Sequence, residues 1–199
     1  MFWDPDQARV RDELLARIRD LSEPNLAVMI DGPSGAGKTS LAGYLTQTVL
    51  PNAQIIHMDS IYPGWDGLDT AIEILIRDVL PPVQRGGVGK WQLWDWAKNA
   101  PTQWQIVRGN TPLIVEGCGS LARGTLQFSN IRVWLDADDN VRKSRALSRD
   151  GIGFEEHWDQ WQNSFDHYVE RESPRESADI TLNVTGWPLN EHQEDEFRQ

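Results

Sequence analysis

The spacing of apolar positions along this chain changes several times, and each change marks an element. Leu14, Leu15, Ile18 and Leu21 recur at helical spacing, with Asp4 placed to cap that helix and Pro5 to open it. LAVMI (26–30) is instead a short continuous apolar run, the pattern of a strand buried in a parallel sheet. KTSLAGYLTQTVL (38–50) returns to helical spacing through Leu41, Leu45 and Val49. AQIIHM (53–58) reads as a second strand, ending in the Pro-, Gly- and Asp-rich loop DSIYPGWDGLD (59–69). Leu68, Ala71, Ile72, Leu75, Ile76 and Val79 predict a further helix, stopped by Pro81 and Pro82. Alternation in WQLWDW (91–96) predicts an extended arm, paired as a hairpin with TQWQIV (102–107). TPLIVEG (111–117) and IRVWLDAD (131–138) are two more buried strands, with SLARGTLQF (120–128) as a short helix between them. Beyond them lie helical DNVRKSRALSRD (139–150) and a glycine break at Gly151 and Gly153. A helix with Trp158, Trp161, Phe165 and Tyr168 on one side and the strand ADITLNV (178–184) complete the pattern. The polar segment 190–199 reads as a frayed tail. Strands alternating with helices predict an α/β fold: one domain over 1–199, with a mainly parallel central sheet covered by helices on both faces.

Composition narrows the function. At 199 residues the chain can bury a substantial core in one domain. It has no apolar run long enough to span a membrane and no basic, apolar N-terminal signal. A single cysteine, Cys118, excludes an internal disulfide and suits a reducing compartment, so a soluble cytoplasmic protein is expected. The formal charge of −11 argues against nucleic acid or an anionic membrane as partner, although one pocket can still concentrate positive charge. The four histidines (His57, His157, His167, His192) show no metal-ligand spacing and read as surface or packing residues.

Chemistry enters at IDGPSGAGKTSL (30–41). Gly32, Gly37, Lys38 and Thr39 fit G-x-x-x-x-G-K-[ST], in which loop N–H groups surround a phosphate, the lysine reaches the β/γ oxygens and the hydroxyl meets Mg²⁺. The loop lies between a strand and a helix, so Gly32, Ser34, Gly35, Ala36, Gly37, Lys38, Thr39 and Ser40 are candidate nucleotide-binding residues in a P-loop NTPase three-layer fold. In a parallel sheet ligands gather beyond the carboxyl ends of the strands, which singles out Asp59 and Glu116. A carboxylate there holds Mg²⁺, takes a proton from an acceptor hydroxyl, or merely caps its loop. Arg142, Arg145 and Arg149 fall on one helix side, suited to surrounding a migrating phosphoryl group or to pairing with Asp138, Asp139 and Asp150 in solvent. Of the ten tryptophans, Trp91 and Trp104 are expected to pack the hairpin. Trp94 and Trp96, beside Asp95, are as suited to a slot for a flat ligand as to packing.

These segments, taken in order, resemble the uridine kinase and phosphoribulokinase branch of P-loop kinases, most closely the uridine–cytidine kinases. MDSIY (58–62) is similar to the family's MDSFY, and Trp94-Asp95-Trp96 to its Tyr-Asp-Phe. Val115-Glu116-Gly117 stands for its FEG, RKSRALSRD (142–150) for RxxRRxxRD, and SADITLNVTG (177–186) for YADVIIPRG. The resemblance implies ATP and Mg²⁺ as cofactors, an acceptor-side insertion over about 59–105 and a short lid over about 142–156. It implies Asp59 as general base near the metal, Lys38 on the β/γ-phosphates, and Thr39 and Glu116 organising Mg²⁺. Arg145 and Arg149, with Arg142, would surround the transferring group, and Tyr62, Trp94, Asp95 and Trp96 would hold a nucleoside-like hydroxyl acceptor. The acceptor end departs most: PGWDG (63–67) follows the tyrosine, Trp94 replaces a tyrosine, and Ala146 replaces an arginine. A nucleoside monophosphate kinase or other small-metabolite kinase and a non-catalytic ATP-binding regulatory module stay open as alternatives, and so does a homo-oligomer.

Overall fold

The computed structural model describes residues 5–21, 23 and 25–187; the cap assigned to Asp4 and the tail at 190–199 lie outside them. Helix α1 (Pro5–Asp20) precedes strand β1 (Ala27–Asp31), helix α2 (Lys38–Thr48) and strand β2 (Gln54–His57). Helices α3 (Leu68–Ile74) and α4 (Leu80–Gln84) lead to the hairpin β3 (Val88–Asp95) and β4 (Ala100–Arg108). Then follow β5 (Leu113–Glu116), β6 (Ile131–Asp136), α5 (Asp139–Asp150), α6 (Ile152–Glu155), α7 (Trp158–Glu172) and β7 (Ile180–Asn183). Five strands form one parallel sheet in the order β2-β5-β1-β6-β7.

The continuous apolar runs are explained by cover on both faces. Alternate residues of β1 point oppositely: Val28 and Ile30 join a core with Leu14, Leu15 and Ile18 of α1 and Leu41 and Leu45 of α2. Met29 faces the other way, among α3, α7 and the hairpin's Trp91 and Val107. The same division separates Val133 and Leu135 from Trp134 on β6.

Three expectations are corrected. Pro81 and Pro82 do not stop the helix; a π-helical turn over Leu75–Val79 carries the chain through, and both prolines enter the first turn of α4. An interior proline lacks the N–H and crowds the carbonyl four residues back. Widening the turn, with Leu80 N–H reaching Leu75 O, places the prolines where a helix tolerates them. The helix expected over 120–128 is a series of turns with one 3₁₀ turn at Leu126–Phe128. Thr125 Oγ1 donates to the carbonyls of Ser120 and Ala122, and Asp31 takes the N–H of Leu121, fastening that segment to the end of β1 instead. Trp104 does not pack the hairpin: it is 60% exposed, on the face opposite buried Trp91. Among the described residues no helix is long and apolar enough to cross a membrane.

Candidate active site

The carboxyl ends of β2, β5 and β1 lie side by side, with His57 and Ile30 each in register with Glu116. From β1 the chain turns into the glycine loop. Gly32 (φ 143°) and Gly35 (φ 79°) adopt left-handed backbone, and a Cβ on them would stand 2.3 Å from Leu135 O and 1.9 Å from Arg142 O. Only glycine fits so close to β6 and α5. Gly37 precedes α2 with no side-chain cap, so the first N–H groups of that helix are left for an anion. Lys38, 9% exposed, folds back so that Nζ donates to the carbonyls of Gly32 at 2.7 Å and Pro33 at 2.9 Å.

Buried polar bonds brace this loop. Asp31, fully buried, accepts from Gly32 N (2.7 Å), Leu121 N (2.8 Å) and the Tyr168 hydroxyl (2.6 Å). Burial pushes its carboxyl above the ordinary range, against the pull of Tyr168, those N–H groups and Lys38. Glu116, 3% exposed, accepts on Oε1 from Thr39 Oγ1 at 3.0 Å and meets His57 Nδ1 at 2.6 Å. Burial alone would raise this carboxyl; the hydrogen bond and charge of His57, with Lys38 and Thr39, hold it below the usual range. Cys118 Sγ contacts Lys38 Nζ at 3.7 Å, and burial raises its thiol. Among the described residues no three His, Cys, Asp or Glu side chains gather around a metal position. Of the three residues expected at a metal, Thr39 and Glu116 are hydrogen-bonded to each other, and Asp59 lines the same cavity.

A cavity of about 790 Å³ opens in front of these groups. Ser34, Gly35, Gly37, Lys38, Thr39 and Glu116 line the part around the glycine loop; Asp59 and Tyr62 from the loop after β2, with Trp94 and Trp96 from the hairpin, line the rest. Asp59 stands on the 3₁₀ turn Met58–Ser60, where its carbonyl accepts Trp96 Nε1 at 3.0 Å. The Tyr62 hydroxyl is buried and donates to Cys118 O at 2.7 Å; burial raises it well above an ordinary phenol, so it stays a neutral donor. A register shift between Gln92 and Trp94 interrupts the alternation of β3, and both Leu93 and Trp94 turn to the cavity.

Other expected residues are not brought to the cavity wall. Asp95 turns to Lys98, accepting from its N–H at 2.9 Å and its Nζ at 2.8 Å. Arg142 is buried behind the glycine loop, with Nε on Asp139 and its guanidinium over Trp158. Arg145 donates to the carbonyls of Val184, Thr185 and Trp187 at 2.8–3.1 Å. Arg149 is the one arginine on the wall among the described residues. Ala36 is buried beside the loop glycines, and Ser40 lies in the first turn of α2.

Several wall residues were not singled out in the sequence. Trp65 stacks nearly parallel on His157 (4.6 Å, 10°) and Phe154 (5.4 Å, 9°) and tilts against Trp96 (4.6 Å). Trp161 donates from Nε1 to Ser34 Oγ at 2.9 Å. Trp65 had a usable signal, its place in the loop after Asp59. His57, expected at the surface or in packing, is half-buried and meets Glu116 through Nδ1.

Neither a protein-family model nor a curated protein matches this chain. The solved structure of a possible uridine kinase from Bacillus stearothermophilus is similar at a TM-score of 0.66 and 20% identity, over 89% of this chain and 99% of that one. An uncharacterized protein from Eubacterium ventriosum gives 0.45 at 11% identity, over 81% and 89%, too distant to inform the site. At such identities the first likeness shows a shared fold, a parallel sheet between helical layers.

Proposed function

We propose that this chain is a Mg²⁺-dependent kinase that moves the γ-phosphate of ATP to a hydroxyl of a small molecule, with the 5′-hydroxyl of a pyrimidine nucleoside as the first acceptor to try. One observation carries the reading: a single cavity is lined by the phosphate-loop residues Lys38 and Thr39, by Glu116, and by Asp59 among tryptophan rings. Lys38 and the loop N–H groups hold the β- and γ-phosphates, the lysine exchanging its carbonyl partners for phosphate oxygens. Asp59 accepts the proton of the acceptor hydroxyl. Arg149 faces the charge that spreads over the equatorial oxygens, while Arg145 anchors the segment after β7. Trp65, Trp94 and Trp96 receive a flat ring.

The metal donors fit the ion. Mg²⁺ takes one or two protein oxygens and completes its shell with water and phosphate, and the side chains of Thr39 and Glu116 lie side by side, joined by a 3.0 Å hydrogen bond. When bound, it would supply charge compensation for the phosphate groups. A substrate phosphate on the acceptor would want further arginines at that end, and Arg77 is instead exposed and paired with Asp78. The test is ADP formation with Mg·ATP across nucleosides, nucleoside monophosphates and small sugars, with Asp59→Asn as control. Stimulation by uridine or cytidine that disappears in Asp59→Asn is the expected result. An equal slow background in both proteins, with every acceptor, refutes it.

A further inference from the structure

Glu116 is held on one oxygen from two sides. Oε1 accepts the Thr39 hydroxyl at 3.0 Å, and His57 Nδ1 lies 2.6 Å from the same atom. Opposite an ionised carboxylate the ring nitrogen must carry its proton, so His57 donates. The two residues are in register on neighbouring parallel strands, which fixes their backbones side by side. A lone carboxylate turns freely about its last bond; one bound on Oε1 by donors from β2 and α2 does not. Oε2 then keeps its lone pairs in a residue that lines the cavity.

We propose that His57 is a positioning residue for the metal carboxylate: it fixes Glu116 with Oε1 turned to Thr39 and leaves Oε2 for Mg²⁺ or a water of its shell. The inference rests on the proposed kinase reading, since it needs a Mg·nucleotide at Thr39 and Glu116. A donor that orients a ligating carboxylate typically changes metal affinity by about 10–100-fold when removed.

The experiment omits the acceptor. Mn²⁺ binding is followed by the electron paramagnetic resonance of the free ion, with the full chain and a non-hydrolysable ATP analogue, in wild type, His57→Ala and His57→Asn. The Asn amide offers an N–H near the position of Nδ1. The Mn²⁺ midpoint is expected to rise about tenfold in His57→Ala and to recover most of the way in His57→Asn. Analogue binding in excess chelator should be the same in all three, because no metal takes part. A midpoint within twofold of wild type in both variants overturns the role of His57 and leaves the kinase reading standing. So does a loss of metal-free analogue binding equal to the metal effect, which would make His57 a support of the loop. If wild type binds the analogue but no Mn²⁺ with it, the kinase reading fails and this inference with it.

Discussion

At the glycine-loop end of the cleft, Asp31, Lys38 and Glu116 are buried, and each is tied by hydrogen bonds to backbone or to a neighbouring side chain. At the other end Asp59 and Trp96 are exposed, and the rings of Trp65, Phe154 and His157 come together from the loop after β2 and the segment around α6. The first end is set by directional bonds from adjacent strand tips, with glycines pressed onto β6 and α5. The second is set by stacked faces, which tolerate sliding and exchange. A buried polar network is costly to alter in part, whereas an aromatic wall can be rebuilt for a new ligand. That difference separates a loop of fixed spacing, recognisable in sequence, from a wall of aromatic faces that is not.

The largest effect expected separates chemistry from stability. Asp59→Asn should lower turnover by about 10²–10⁴-fold, as for loss of a general base, while the melting temperature and analogue binding stay near wild type. Rate assays beside thermal melts decide it; a fall in stability to match would place Asp59 with the braced end. Asp31→Asn comes next and should do the reverse. Both carboxylate oxygens of Asp31 accept hydrogen bonds, so an amide turns an NH₂ toward donors and strands one pair. Loss of about 2–4 kcal/mol is expected, roughly 4–16 °C in melting temperature for a chain of this size. The folded carboxyl is raised by burial, so its contribution is fullest in acid and is lost as pH rises through that raised value. The gap between wild type and Asp31→Asn should therefore narrow toward neutral pH.

The same contrast explains what could be seen in the sequence. The loop and the strand-end carboxylates were legible because their chemistry is local: a few residues of fixed type in a row. Strands β1, β5 and β6 were legible because burial on both faces leaves unbroken apolar runs. Partners distant in sequence were not. His57 meets Glu116 only because β2 and β5 pair in one register, and Arg145 is satisfied by carbonyls beyond β7. Helical spacing placed Arg142, Arg145 and Arg149 on one side, but the neighbours of that side decide that Arg149 alone reaches the cavity. The prolines misled for a related reason. The rule that they end a helix assumes regular turns, and one π-helical turn suspends it.

Trp161 belongs to both ends and tests whether they are independent. Its ring meets Tyr62 (4.8 Å) and Trp65 (6.4 Å), while its N–H holds Ser34 of the phosphate loop. Trp161→Phe keeps a ring and removes the donor. Nucleotide affinity should fall about fivefold, near 1 kcal/mol for one hydrogen bond, with a smaller change in acceptor KM. Calorimetric titration of an ATP analogue reads the first and steady-state kinetics the second. Unchanged affinity would show that the loop stands without the aromatic wall.

The smallest effect is expected on the outer face of the hairpin, where Trp104 lies opposite Gln92 with Lys90 Nζ 5.3 Å from its ring. Its inward neighbour in the ladder, Trp91, is 7% exposed and shares the core with Val79 and Val107. Trp91→Thr empties a core position and should cost about 3–5 kcal/mol, as a Trp→Ala truncation does. Trp104→Thr gives up one solvent-exposed cation–π contact and keeps a residue suited to strands, so under about 1 kcal/mol is expected, with turnover unchanged. Paired denaturant melts of the two variants measure the difference directly. If Trp104→Thr costs as much as Trp91→Thr, the outer face is covered in solution, and sedimentation of the wild type should then show an assembly larger than one chain that the variant breaks.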